Sequence, residues 1–311
     1  MENFLIVAGQ VAVLFVLMAV GAVLRWTKLL KDASLDGMVN LLILVVTPCL
    51  IVDVFQRPFS PAMLSGLGLS FLIALLGHAA VIVLAQLLVR HRDGNVRRPM
   101  MLAAVFSNAG FMGLPLERAV LGDVGVFYGI VYVVVFNLVM WSWGYGTMKK
   151  EVARSSFFNL HSVVNPGTVG IFLGLPLFFC SAKLPAIVGT PVHLIAGLNT
   201  PLAMIVIGYC LVGAKLARVA KMPVVYVATG IRLVGYPLLV VAALYPFRQW
   251  LDRDMMVALT VSASAPVAAM VSMFATKFGR DVDTSVAVVS GSTLLSILTM
   301  PAVIALAMSL L

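Results

Sequence analysis

Charge is what this chain has least of. Of its 311 residues only 11% are Asp, Glu, Lys or Arg, against roughly 25% in soluble domains. So little charge cannot cover a water-facing surface, and 62% hydrophobic residues with a mean hydropathy of +1.09 place the chain in a bilayer. Cysteine is scarce too. Cys49, Cys180 and Cys210 all fall in apolar segments without Cys-x-x-Cys spacing. That excludes a disulfide framework and a cysteine metal site and leaves them as small packing residues. Acids are missing from mid-segment: Asp53 and Glu117 fall at outer ends, and the rest lie in loops or the N-terminal tail. A proton antiporter built on a buried aspartate pair is therefore disfavoured.

Other absences narrow the class further. There is no Walker A loop, so ATP is not the direct drive. There is no His-Glu-x-x-His, no metal-ligand cluster and no Gly-x-Ser-x-Gly elbow, so no enzyme chemistry and no cofactor are expected. The longest polar stretches, around 90–98 and 149–163, are too short to fold alone, so one membrane domain takes up the chain. The first apolar run follows no basic n-region and reads as a span, not a signal peptide.

What is present is a series of apolar runs of about 20 residues. They fall at 4–25, 35–56, 62–89, 98–117, 123–148, 165–182, 190–214, 223–247, 255–276 and 282–309. An all-α membrane protein of ten transmembrane helices follows. The formal net charge of +9 would suit nucleic acid, but its distribution points to topology instead. Odd-numbered loops carry fifteen Lys and Arg and even-numbered loops five, with Arg232 left inside a span. Odd loops are then cytoplasmic and both termini outside. The partner implied is the lipid bilayer, with no nucleic acid.

The two halves look like copies. Gly21 recurs as Gly174 and Thr47-Pro48 as Thr200-Pro201, at an offset of 153, while Met100-Met101 and Ser107 recur as Met255-Met256 and Ser262 at 155. Five spans separate each pair, so the second copy runs inverted. Residues 1–148 form the first five-helix repeat, 149–164 a short cytoplasmic linker and 165–311 the second repeat.

Site candidates follow from interruptions. Ser107-Asn108-Ala109-Gly110-Phe111-Met112-Gly113-Leu114-Pro115 puts an amide, two glycines and a proline inside an apolar span, and Ser262-Ala263-Ser264-Ala265-Pro266 does so in span nine. Broken helices persist in hydrocarbon only where they line a cavity, so a ligand is expected where the two cross. Asn108, Gly110, Pro115, Ser262, Ser264 and Pro266 are the binding candidates. Arg232, the only Lys or Arg well inside a span, is a carboxylate partner, a side chain snorkelling toward the cytoplasmic interface, or a structural bond to the backbone carbonyls exposed ahead of Pro237. Thr47, Pro48, Asn199, Thr200 and Pro201 are cavity walls or simple kinks. His78 and Asn137 read first as interhelical hydrogen bonds. Asn137 is also kept among the binding candidates, and His78 and Glu117 as the groups through which H+ or Na+ coupling would act.

With these residues the chain resembles the auxin efflux carrier family, which holds plant PIN-type auxin carriers and bacterial permeases for malate, malonate and similar acids. The resemblance is carried by Gly21-x-x-x-Arg25 with Leu29-Leu30, Thr47-Pro48, Asn108-x-Gly110-x-x-Gly113-Leu114-Pro115-Leu116, Arg232 with Pro237, Pro266, and the closing motif at 292–301. It implies crossed broken helices four and nine, as in NhaA and bile-acid transporters. It also implies a scaffold of spans 1, 2, 6 and 7 that joins a homodimer, and a transport unit of spans 3–5 and 8–10 moving as an elevator. The substrate implied is a small organic anion, held at Asn108 and the backbone near Pro115 and Pro266, and the location a bacterial inner membrane. The short linker lacks the long regulatory loop of the plant carriers. A sodium-coupled symporter of the bile-acid type and a membrane metabolite sensor are the alternative readings.

Overall fold

The computed structural model describes residues 2–149, 166–212 and 222–311. The basic segment 213–221 and all of the 149–164 linker except Lys149 lie outside them. Everything described is helix or short connection, apart from one antiparallel bridge between Ser107 and Val267. In chain order the helices are α1 (Glu2–Trp26), α2 (Asp32–Leu41), α3 (Thr47–Phe55), α4 (Pro61–Leu88), α5 (Gly94–Val105), α6 (Leu114–Leu121) and α7 (Asp123–Val139). There follow α8 (Pro166–Phe179), α9 (Ala186–Gly197), α10 (Asn199–Leu211), α11 (Pro223–Gly230), α12 (Tyr236–Leu244), α13 (Arg253–Ser264), α14 (Met270–Lys277) and α15 (Val282–Leu310). Wide π turns join α2 to α3, α11 to α12 and open the segment before α6.

Among the described residues seven stretches are long and apolar enough to cross a membrane: Val7–Trp26, Ser34–Phe55, Pro61–Leu88, Asp123–Met148, Ala186–Leu211, Pro223–Phe247 and Val282–Leu310. The other three expected spans differ. The run at 165–182 forms the 14-residue helix α8, and those at 98–117 and 255–276 are each split in two. Residues flanking the splits are capped deliberately. Asp93 accepts from the Asn95 amide and Asp252 from the Met255 amide, which satisfies amides that would otherwise be orphaned at the starts of α5 and α13.

Proline accounts for three of the four π turns among the described residues; the fourth, Met140–Gly144, runs into Tyr145–Met148 without one. Thr47-Pro48, Leu114-Pro115 and Tyr236-Pro237 each follow directly on one. A proline ring clashes with the carbonyl four residues back and leaves it without a donor, and widening the turn relieves both. At Thr47 the hydroxyl takes up the Leu42 carbonyl at 2.8 Å. Pro115 therefore does not break its segment, contrary to the expectation from the motif. The break lies upstream at Phe106–Asn108, where the backbone turns extended. In α13 the break does sit at the proline, because a residue before proline avoids helical backbone and Ala265 is extended at φ −61°, ψ 146°.

Two close helix crossings rest on glycine. α1 packs on α10 where a side chain at Gly21 would strike the Ile205 carbonyl and one at Gly208 the Met18 carbonyl. α8 packs on α3 where Gly174 faces Phe55 and Gly170 faces Pro48 and Ile51. The most enclosed helix is α13, with every residue from Met255 to Ser264 buried. α1, α4 and α9 carry exposed apolar residues, among them Val16, Leu76, Ile187 and Leu194, which suit a lipid-facing surface. Cys180 and Cys210 are exposed on that surface too, and so are not the packing residues that the sequence suggested.

Candidate functional site

The two split helices meet at their breaks. The Asn108 amide donates to the Pro266 carbonyl at 2.7 Å and the Ala268 amide to the Phe106 carbonyl at 2.9 Å, so the extended strands pair antiparallel. The Val267 amide donates to Ser292 Oγ at 3.1 Å, which ties the crossing to α15. Such pairing supplies partners to backbone groups that hydrocarbon could not solvate.

Each break yields one helix C-terminus and one helix N-terminus, and the two kinds of end are treated differently. Arg232, fully buried, donates from Nη1 to the Val105 carbonyl at 2.7 Å and from Nη2 to the Ala263 carbonyl. It thus caps the C-terminal ends of α5 and α13 together, and its guanidinium lies over the Tyr236 ring at 4.8 Å. The carbonyls that Arg232 meets belong to the crossing and not to the turn ahead of Pro237, where the sequence suggested such a bond. The N-terminal end after Asn108 is left open. Asn108 occupies the N-cap position but its side chain makes no cap hydrogen bond, and the Ala109, Gly110 and Phe111 amides open the turn ahead of the first intrahelical donor. Gly110 is partly exposed with open space where a side chain would be.

A helix end carries roughly half a unit charge, negative at the C-terminus and positive at the N-terminus. One guanidinium offsets two C-terminal ends, so two N-terminal ends remain uncompensated and the crossing favours one negative charge.

A small hollow with room for little more than one water molecule, about 10 Å³, lies beside Leu114 at the start of α6. Thr47, Ile51, Leu114, Ile130, Asn137 and Thr168 line it, so it lies between α3 and α8 on one side and α6 and α7 on the other. Pro48, Thr200 and Pro201 are half-buried kink residues. Asn199 is 3% exposed with its side-chain oxygen unpartnered at the α9–α10 joint. Asn137 and His78 bond within their own helices, to the Val133 and Ala74 carbonyls at 2.8 Å each, and not across helices as the sequence suggested. A mid-helix polar group finds the carbonyl one turn back first. Behind the crossing, Ser107 Oγ, Tyr132 and Tyr236 form a hydroxyl chain at 3.4 and 3.5 Å, with the His78 ring 5.0 Å from that of Tyr132. The two tyrosines went unnoticed in the sequence because apolar runs contain such residues at random.

Ser262 and Ser264 are buried, but only Ser264 bonds its own helix, at the Val261 carbonyl. Ser262 donates to Glu117 Oε1 at 2.6 Å. Glu117, placed by sequence at the outer end of span four, is completely enclosed. The Gly125 and Gly129 face of α7 makes this room, and a side chain at Gly129 would occupy the carboxylate's position. Glycines one turn apart opposite an acid were the available sequence signal. At the same end of the bundle Asp53 meets His193 at 3.0 Å and Arg118 at 3.7 Å, while Arg118 also pairs with Asp123 at 2.8 Å.

Apolar spans packed around two interrupted helices, with backbone polarity gathered at their buried crossing, define a multi-pass membrane protein of transporter class. A family model described as "Membrane transport protein" matches residues 6–304. The chain therefore belongs to that transporter family, the auxin efflux carrier family, as the motifs around Asn108 indicated. It is also similar to a protein of Methanothermobacter thermautotrophicus described as an uncharacterized transporter, 26% identical over 292 residues, covering 92% of this chain and 93% of the relative.

Proposed function

We propose that this protein is a secondary transporter or uniporter of small organic anions, with the substrate carboxylate bound at the crossing by the Asn108 side-chain amide and the free backbone amides of Ala109, Gly110 and Phe111. The observation that carries this reading is the asymmetry of the helix ends: Arg232 caps both C-termini, and the N-terminal amides after Asn108 stay open.

In this reading ten spans form two inverted five-helix repeats. Support comes from α5 and α13, each of 12 residues with an aspartate N-cap, and from Gly21 and Gly174, which serve equivalent close crossings. α5 and α13 correspond at an offset of 159 (94 to 253, 105 to 264), one helical turn beyond the 155 read from the methionines. Spans 1, 2, 6 and 7 form the scaffold and a homodimer contact, and the remaining spans carry the crossing past it as an elevator. The protein sits in a bacterial inner membrane with both termini outside.

The test is electrical. Protein in liposomes on a solid-supported membrane is given malate, malonate, succinate and indole-3-acetate, with and without a sodium gradient, beside Asn108→Ala. A sustained current for one acid, lost in the variant, is expected. Current that persists unchanged in Asn108→Ala removes the crossing as the site.

A further inference from the structure

A buried acid that the anion site does not use stands two residues beyond Pro115. Glu117 is 0% exposed; its Oε1 accepts from Ser262 and its Oε2 has no partner. The helix that bears it packs against α7, α13, α1 and the π turn at Ala109–Gly113. The ionisable side chains on those elements beyond the first turn of α1 are Asp123, Tyr128 and Tyr132 of α7, Arg253 and Asp254 of α13, and Arg25 of α1. None forms an ion pair or hydrogen bond with Glu117, and Arg118, its neighbour in sequence, pairs with Asp123 and Asp53. A carboxylate enclosed without a counter-charge is far costlier than a neutral carboxyl, which needs only the one hydroxyl donor present. The room for it is built, since Gly129 supplies the space that the carboxyl fills.

Ser262 gives the acid a link to the site. It lies on α13, two residues before the end that Arg232 caps through Ala263. Glu117 is itself in the half-helix whose opening amides follow Asn108. Any shift of one half-helix against the other changes the Ser262 contact and the anion end together.

We propose that Glu117 is a proton site and that the transporter carries one proton with its organic anion. The carboxylate binds a proton from water on one side, forming an O–H bond at Oε2. The neutral carboxyl is enclosed against Gly129 with Oε1 on the Ser262 hydroxyl. Movement that loosens the contact between α6 and α13 returns the carboxyl to water and the proton leaves. The unit then crosses with no unpaired anion inside it. This inference rests on the anion-transport reading above.

Two measurements test it, and they fail separately. The infrared carbonyl band of a protonated carboxyl is recorded for the detergent-purified protein at neutral pH. The band is expected in the wild type and absent in Glu117→Gln, which keeps the volume and can still accept from Ser262. In liposomes holding a pH dye, each of the four acids is applied to both forms and its uptake followed by radiolabel, since one proton moving with a monoanion carries no net charge and gives no current. Wild type is expected to move protons with the acid, and a gradient of one pH unit should support about tenfold accumulation of a monoanion. Glu117→Gln should retain uptake of the acid, with proton movement and gradient-driven accumulation lost. Ser262→Ala should keep coupling but shift the pH at which the infrared band disappears. A wild type without the band, or Glu117→Gln that still couples protons, overturns the proposal. If no acid moves, the transport reading falls and the band alone decides whether Glu117 holds a proton.

Discussion

Replacing Arg232 isolates the cap that joins the two half-helices. Arg232→Met keeps most of the volume but removes both donors and the charge, so the Val105 and Ala263 carbonyls lose their partner inside the protein. A hydrogen bond to a charged group contributes about 1.5–3 kcal/mol, so two of them with orphaned acceptors predict a loss of about 3–5 kcal/mol, the range for breaking a buried charged contact. Arg232→Lys keeps the charge and can reach one carbonyl but not fork between two, and should cost about half as much. With a shift of about 2 °C per kcal/mol for a chain of this size, the melting midpoint in detergent should fall by roughly 6–10 °C for Met and 3–5 °C for Lys. Anion current should fall in the same order, because the C-terminal ends regain their negative field. Equal midpoints for wild type and Arg232→Met would refute the cap, and equal losses for Lys and Met would show that geometry outweighs charge.

Two further perturbations probe the frame. Gly208→Ala places a methyl group on the Met18 carbonyl, so α1 and α10 must separate; overpacking predicts about 1–3 kcal/mol lost, read as a lowered midpoint and poor recovery from the membrane. Asp53→Asn removes the partner of both His193 and Arg118 and releases the contact between α3 and α6. Exposed pairs contribute about 0.2–1 kcal/mol, so cysteine labelling at Gly110→Cys should quicken by up to about fivefold, and an unchanged rate would remove this contact as a latch.

The crossing was legible in the sequence because its breakers sit where hydrocarbon forbids them: Asn108, Gly110 and Pro266 flagged the two segments correctly. The position of the first break was not legible. Proline is visible as a letter, whereas the pairing of Phe106–Asn108 with Pro266–Ala268 depends on a partner far along the chain, Ser107 facing Val267, and it is the pairing that opens the helix there. The offset of 155 rests on methionines, which are interchangeable fillers, whereas the aspartate caps Asp93 and Asp252 stand 159 residues apart. Glu117 was misjudged because its distance from the loop suggested water, and only the bare face at Gly129 shows that it is enclosed. Arg232 stood out as an expensive charge, but the two carbonyls it caps, those of Val105 and Ala263, follow from no local pattern.

The wide turns before Pro48, Pro115 and Pro237 carry a dynamic consequence. Each stores one surplus residue, and moving that surplus along by a position exchanges one backbone bond for its neighbour. The passed residue swings by roughly 100° about the helix axis, the angle one residue subtends in an α-helix. Three helices around the crossing can thus rotate in steps, with nearly all main-chain bonds kept, where uninterrupted helices would have to melt.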